Sequence, residues 1–108
     1  KGLNGGFSYS ISSSDFPLNT WIGWGVVCDG NVLSVYKNGT FLGSQTTPNS
    51  GAVSADNYTR LTLAIPNNNV SSSYSASMQF SNLQIYNKTL SAAEVAQNFN
   101  VYRSRFGL

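Results

Sequence analysis

Residues 80–100, FSNLQIYNKTLSAAEVAQNFN, read as a β-strand, a turn and a short helix in immediate succession. Ser91 precedes the helix and Glu94 follows three residues later, which is the spacing of a capping box. In that motif the serine hydroxyl accepts a hydrogen bond from the glutamate amide, and the carboxylate accepts one from the serine amide. Leu90 and Val95 occupy the positions of a hydrophobic staple. Two independent signals therefore predict a helix that begins after Ser91.

The composition limits the class of protein to which this chain can belong. Its 108 residues suffice for one domain, and 41% of them are apolar. Charged residues make up only 9%, far below the roughly one quarter that is usual, so Asn, Ser, Thr and Gly have to supply the polar surface. This composition suits secreted or virion-surface proteins. A net charge of +2 is too small to indicate a nucleic-acid or membrane partner, and we expect Arg103 and Arg105 to form a solvated chain end.

The chain has one cysteine, Cys28, and no histidine. A single cysteine cannot form an intrachain disulfide, and because Cys28 lies in an apolar run we expect it to be a small buried hydrophobe. Without histidine the chain lacks the commonest general base and the commonest transition-metal ligand. Nucleophilic triads that depend on histidine are therefore excluded.

The residues upstream of the helix are predicted to form β-strands. Residues 21–45 read as a β-meander, and Asn38-Gly39 is its strongest hairpin signal because a type I′ turn needs positive φ at both central residues. We expect a loop over residues 43–51. Further strands are predicted at residues 7–11, 58–65 and 78–86, with a bulge near 81–82 and a polar loop over 67–77.

The expected architecture is all-β, an antiparallel jelly-roll β-sandwich with one short C-terminal helix over residues 92–100. Val95 and Phe99 are four residues apart, so they share the helix face that packs on the sheet. We expect Tyr102, Phe106 and Leu108 to hold the tail against the rest of the domain.

Two stretches together resemble a known family. Residues 21–39 resemble the "W…dG…l-lYvNG" signature of laminin-G-like domains of the concanavalin A-like jelly roll, and residues 80–94 resemble the closing "i…v-iYNraLs-aEi" motif of that family. The ending, residues 97–108, is similar to laminin-G-like modules in phage structural proteins. The matching positions are Trp21, Asp29, Gly30, Leu33, Val35, Tyr36, Asn38 and Gly39, then Leu83, Ile85, Tyr86, Asn87, Leu90, Ser91 and Glu94.

The chain also departs from this family. It is short, so the resemblance implies one laminin-G-like domain over residues 1–108 in which the N-terminal strands are missing or reduced to residues 1–11. The glycine usual before the closing strand is replaced by Ser77 and Met78, and Trp24 stands where a smaller apolar residue is common. A sandwich without all its strands exposes an apolar face and open edges. We therefore expect an upstream segment, or another virion or surface subunit, to complete it.

Some relatives of this fold are glucanases, so glycoside hydrolysis has to be considered. It needs two carboxylates about 5–10 Å apart. The chain has four acids: Asp29 lies in a turn, Glu94 belongs to the helix cap, and Asp15 and Asp56 lie in different loops. We therefore predict no catalytic residues and a protein that is not an enzyme.

The loops offer candidates for two kinds of binding site. Many laminin-G-like domains bind calcium, and Asp56 and Asn57 are candidate ligands with backbone carbonyls of residues 66–69. A single aspartate in a polar loop also forms turns without metal, so we expect no cofactor and keep calcium as the alternative. A glycan would use aromatic rings for stacking and amides for hydrogen bonds. The candidates are Tyr58, Asn67, Asn68, Asn69 and Tyr74, although a solvated Asn-rich loop with both tyrosines packed on the sandwich explains the same residues more simply.

The leading interpretation is a non-enzymatic structural or adhesion module of a virion, such as a capsid decoration, fibre or tail-associated protein. The alternative is a secreted or cell-surface carbohydrate-binding module. Both place the protein on a virion surface or outside the cell. We expect Trp21 and Trp24 to belong to the core rather than to a sugar platform.

Overall fold

The computed structural model describes residues 9–46 and 78–108. Three strands, β1 (Trp24–Asp29), β2 (Val32–Lys37) and β3 (Thr40–Thr46), are followed by one helix, α1 (Ala92–Tyr102). Short 3₁₀ helices span Ser13–Asp15 and Arg103–Phe106. The strand predicted at residues 58–65 and the loop predicted at 67–77 lie outside the described residues. Within the two described ranges, no helix has the length and apolar character needed to cross a membrane.

The three strands form an antiparallel meander in the order β1-β2-β3. Asn38 and Gly39 have φ values of 51° and 76°, which confirms the type I′ turn predicted between β2 and β3. The loop between β1 and β2 has positive φ at Gly30 alone, the φ pattern of a type II′ turn. Both turns match the twist of the strands that they join and set the register of the residues beside them. Farther from the second turn, a bulge shifts the β2–β3 register between Val35 and Tyr36.

The central strand β2 is buried on both faces of the sheet. Leu33, Val35 and Tyr36 are only 8%, 4% and 8% exposed. Successive residues of a strand point to opposite faces, so the burial of both Val35 and Tyr36 requires a cover on each side. The described residues supply both covers, helix α1 on one face and residues 9–16 on the other.

Helix α1 packs on the Tyr36 face through Val95 and Phe99. A Cβ atom added at Gly25 would lie 3.3 Å from Val95 Cγ1, and one added at Gly39 would lie 3.0 Å from Phe99 Cδ1. These glycines therefore let the helix side chains rest directly on the backbone of β1 and of the hairpin turn. The predicted packing face of the helix is confirmed, and Val95 is its buried residue.

Residues 9–16 cover the Val35 face. Asp15 accepts an ion-paired hydrogen bond from Lys37 Nζ at 3.1 Å, and the Phe16 ring stacks on Trp24 with centroids 5.9 Å apart. Trp24 and Lys37 are direct partners across β1 and β2, so they project from the same face. Farther along this face the Tyr9 ring lies over Gly43, where a Cβ atom would meet the phenol.

Several predictions of secondary structure are wrong within the described residues. Tyr9–Ile11 form no strand, because Tyr9 packs across β3 instead of pairing with a neighbour. β3 continues to Thr46, although a loop was expected from residue 43, because Gly43 makes room for Tyr9. Cys28 is exposed rather than buried, since it lies near the end of β1 on an open part of the sheet.

Two compact units divide the chain, one made of Lys1–Ala52 with Tyr86–Leu108 and the other of Val53–Ile85. Of the second unit the structure describes residues 78–85, which are not in a β-strand, contrary to the strand predicted over 78–86. Phe80 falls in one alternation phase and Leu83 and Ile85 in the other, so this segment has no single apolar face. The described residues are mostly β with one helix, consistent with a concanavalin A-like sandwich. The jelly-roll closure and the single domain stay predictions.

Candidate functional surface

The residues predicted from the sequence to bind a glycan or a metal lie outside the described residues. The structure therefore does not test whether their side chains come together. The glycan candidates are Tyr58, Asn67, Asn68, Asn69 and Tyr74, and the calcium candidates are Asp56 and Asn57. Within residues 9–46 and 78–108, no group of three or more acidic, histidine or cysteine side chains is placed to hold a metal ion.

The three described carboxylates have three separate environments. Asp15 pairs with Lys37, Glu94 pairs with Lys88 and caps α1, and Asp29 is an exposed residue at the end of β1. Two of them therefore have structural partners, and none shares a partner with another. The described part of the chain thus offers no evident acid–nucleophile pair of the kind that glycoside hydrolysis requires.

The capping box at the start of α1 is confirmed. Ser91 N donates to Glu94 Oε2 at 2.8 Å, and Glu94 N donates to Ser91 Oγ at 3.2 Å. The Lys88 ammonium and the Ser91 amide lower the pKa of Glu94 from 4.5 to about 2, with the hydrogen bond from Lys88 as the largest cause. Glu94 is therefore ionised at neutral pH, which makes it unsuited to act as a general acid there.

Tyr86 and Asn98 bring an aromatic ring and an amide together beside α1. Asn98 Nδ2 donates to the Tyr86 hydroxyl oxygen at 3.0 Å, and Tyr86 is exposed. This pair has the chemistry expected of a sugar contact, although Tyr86 was identified from the sequence only as part of the closing motif. Tyr86 and Asn98 stand 12 positions apart along the chain, so no local pattern predicts their contact.

A second exposed aromatic lies where the chain enters the sheet. The Trp21 ring contacts Phe106 with centroids 5.1 Å apart and an interplanar angle of 48°. Trp21 is still 40% exposed, so the prediction that it belongs to the core is wrong. Trp24, which is half-buried beneath Phe16, fits that prediction better. The segment before β1 runs along the surface, which leaves part of the indole in contact with water.

Two exposed arginines lie on the same 3₁₀ helix as Phe106. Arg103 and Arg105 follow the end of α1 directly, and neither forms an ion pair with another described residue. We call Trp21, Arg103, Arg105 and Phe106 the aromatic-basic surface. The sequence shows Trp21 and Phe106 but not their contact, because tertiary packing alone brings residue 21 to residue 106.

The chain is similar to known proteins in its fold and in its family profile. No curated protein sequence matches it. Its fold is similar to the 2.1 Å crystal structure of residues 221–444 of an S-layer domain-containing protein from Clostridium thermocellum ATCC 27405, with a TM-score of 0.61 and 16% sequence identity. The alignment covers 85% of this chain and 42% of that one, so the chain spans less than half of that structure. At this identity the likeness is one of fold alone.

The family comparison covers most of the chain. The profile of the Laminin_G_3 family, described as the concanavalin A-like lectin/glucanases superfamily, matches residues 1–96. The match includes both motifs and also the residues before them. It ends before the last segment, residues 97–108, and none of the comparisons supports the likeness of that segment to phage proteins. The chain belongs to the Laminin_G_3 family of the concanavalin A-like lectin/glucanases superfamily.

Proposed function

We propose that this chain is a non-catalytic carbohydrate-binding module of a cell-surface or secreted protein. The observation that carries the proposal is the lectin-like family match over residues 1–96. The described acids support the non-catalytic part, because Asp15 and Glu94 are engaged in ion pairs and Glu94 also caps α1. Exposed Trp21 and Tyr86 supply rings on which a sugar can stack.

A surface location is favoured over a place in a virion. The solved structure of similar fold is named as an S-layer domain-containing protein, which supports a role at a cell surface. No finding supports the virion interpretation, which rested on the similarity of residues 97–108 to phage modules. The composition, poor in charge and rich in polar uncharged residues, suits an extracellular module equally well.

A glycan array probed with the full chain tests this function. We expect binding to at least one class of polysaccharide and no release of reducing ends from it. Loss of binding in Tyr74→Ala, with an unchanged melting temperature, would support the loop predicted from the sequence. Loss of glycan binding in Trp21→Ala instead would support a binding site on the aromatic-basic surface.

Two outcomes contradict the proposal. Release of reducing ends from a bound glycan would make the protein an enzyme. Symmetric multimers that bind no glycan on the array would support a structural module instead. A substitution of the half-buried Tyr102 to Phe, which retains the ring, is a suitable control for the tyrosine variant.

A further inference from the structure

We propose that the aromatic-basic surface binds acidic polysaccharides through their uronate carboxylates. This inference rests on the proposed function and names the class of glycan and the residues that contact it. The Trp21 ring would stack on a sugar face, and Arg103 and Arg105 would bind carboxylates of the same sugar or of the next one along the chain.

The charges of the described residues favour an acidic ligand at this surface. The described residues include four cationic side chains, and two of these, Lys37 and Lys88, are neutralised by ion pairs with carboxylates. Arg103 and Arg105 are exposed and have no such pair. The uncompensated positive charge of these side chains is therefore concentrated at one end of α1. A guanidinium presents a planar fork of donors that matches a carboxylate in bidentate geometry.

Phe106 connects the 3₁₀ helix that carries the arginines to Trp21. In a 3₁₀ helix, side chains three residues apart lie on the same side, so Arg103 lies in line with Phe106. Phe106 in turn contacts Trp21, with ring centroids 5.1 Å apart. The Leu108 amide donates to the Arg103 carbonyl at 3.1 Å, and Gly107 ends the turn with a φ of 70°. The backbone that carries both arginines is thus held in place beside an exposed indole.

The small size of the aromatic-basic surface favours an acidic sugar over larger polyanions. A protein that binds nucleic acid commonly neutralises about 6–10 phosphates, far more than two guanidiniums can contact. A membrane surface would call for a larger basic cluster or a long amphipathic helix, and the helices in the described residues supply neither. One exposed indole with two guanidiniums fits one or two acidic sugars. The arginines also lie past the negative end of α1, so their effect on stability has to be measured separately.

The test compares polygalacturonate with its fully methyl-esterified form, because both have the same sugar backbone and only the first is charged. Isothermal titration with the full chain should show binding of the acid form and at least about tenfold weaker binding of the ester. Arg103→Gln and Arg105→Gln should each weaken binding of the acid form about tenfold. Trp21→Ala should weaken binding of both forms.

Lys88→Gln is the matched control. It removes the same charge at the opposite end of α1, a helix about 16 Å long, and should change the affinity less than about twofold. The melting temperature of each variant is recorded. If Trp21→Ala does not fold, the two exposed arginine variants still decide the question.

Four results would overturn the inference. Equal losses in Lys88→Gln and the arginine variants would show a non-specific effect of net charge. Equal binding of acid and ester would remove the acidic specificity while leaving the proposed glycan function intact. Equally tight binding to duplex DNA or to phosphatidylserine vesicles would show a general polyanion surface. Absence of binding to every glycan would overturn this inference and the proposed function together.

Discussion

The Glu94 carboxylate makes the stability of the start of α1 depend on pH. Its pKa is lowered from 4.5 to about 2 in the folded protein, chiefly by the hydrogen bond from Lys88 and then by the Ser91 amide. A folded-state pKa below the unfolded one means that the stabilisation is fully present above about pH 4.5 and is lost as the pH falls toward 2. We therefore expect the melting temperature of the wild type to fall in this window more than that of Glu94→Gln. Circular dichroism melts at closely spaced pH values measure the difference.

Lys88→Gln serves as the control for this pH dependence. Because Lys88 is the largest cause of the low pKa, its removal should raise the pKa of Glu94. The melting temperature of Lys88→Gln should therefore fall less steeply than that of the wild type as the pH is lowered from about 4.5 toward 2. Both side chains contact water, so high salt should reduce the difference as well. Parallel melting curves for the wild type and both variants would show that the ion pair contributes nothing measurable.

The β2–β3 turn combines a strained backbone with a close contact to α1, which makes Gly39 the most sensitive turn residue among those described. Gly39 has a φ of 76°, and an added Cβ atom would lie 3.0 Å from Phe99 Cδ1. A left-handed conformation costs a non-glycine residue about 1–2 kcal/mol. Displacement of the Phe99 ring would add to this cost. We expect Gly39→Ala to lower the free energy of unfolding by more than about 2 kcal/mol in urea denaturation.

Gly30→Ala is the matched substitution for this contact. Gly30 has a φ of 57°, and an added Cβ atom there would meet no other group within 4 Å. Its cost should therefore be limited to the backbone, about 1–2 kcal/mol. The difference between the two variants measures how firmly α1 packs on the turn. Equal destabilisation would contradict the described contact between Phe99 and the turn.

The elements that the sequence predicts well are those determined by nearby residues. The Asn38-Gly39 turn and the Ser91–Glu94 cap each depend on fewer than five consecutive positions, and both are confirmed. The continuation of β3 through Gly43 depends on Tyr9, which lies far away in the sequence. An isolated glycine in a strand pattern indicates either a break or a close approach, and the sequence alone does not distinguish these cases.

At the scale of the whole molecule, the family can be predicted from the sequence, whereas the aromatic-basic surface cannot. The two motifs were enough to identify the laminin-G-like resemblance that the match over residues 1–96 supports. Trp21 and Phe106 belong to segments at nearly opposite ends of the chain, so their contact depends on tertiary packing. The composition also gives no hint that Lys37 and Lys88 are paired while Arg103 and Arg105 form no ion pair with a described residue.

Completion of the sandwich by another chain stays a prediction, and β1 provides a place to test it. Val26 lies in β1, and its side chain is 63% exposed. A lysine on an exposed strand opposes pairing with another chain because its ammonium stays hydrated. We expect the wild type to associate in sedimentation velocity at rising concentration, and Val26→Lys to shift it toward monomer.

Val101→Lys is the matched control, since Val101 on α1 is also 63% exposed. A monodisperse wild-type monomer that melts cooperatively would contradict the prediction, as would equal effects of both lysines.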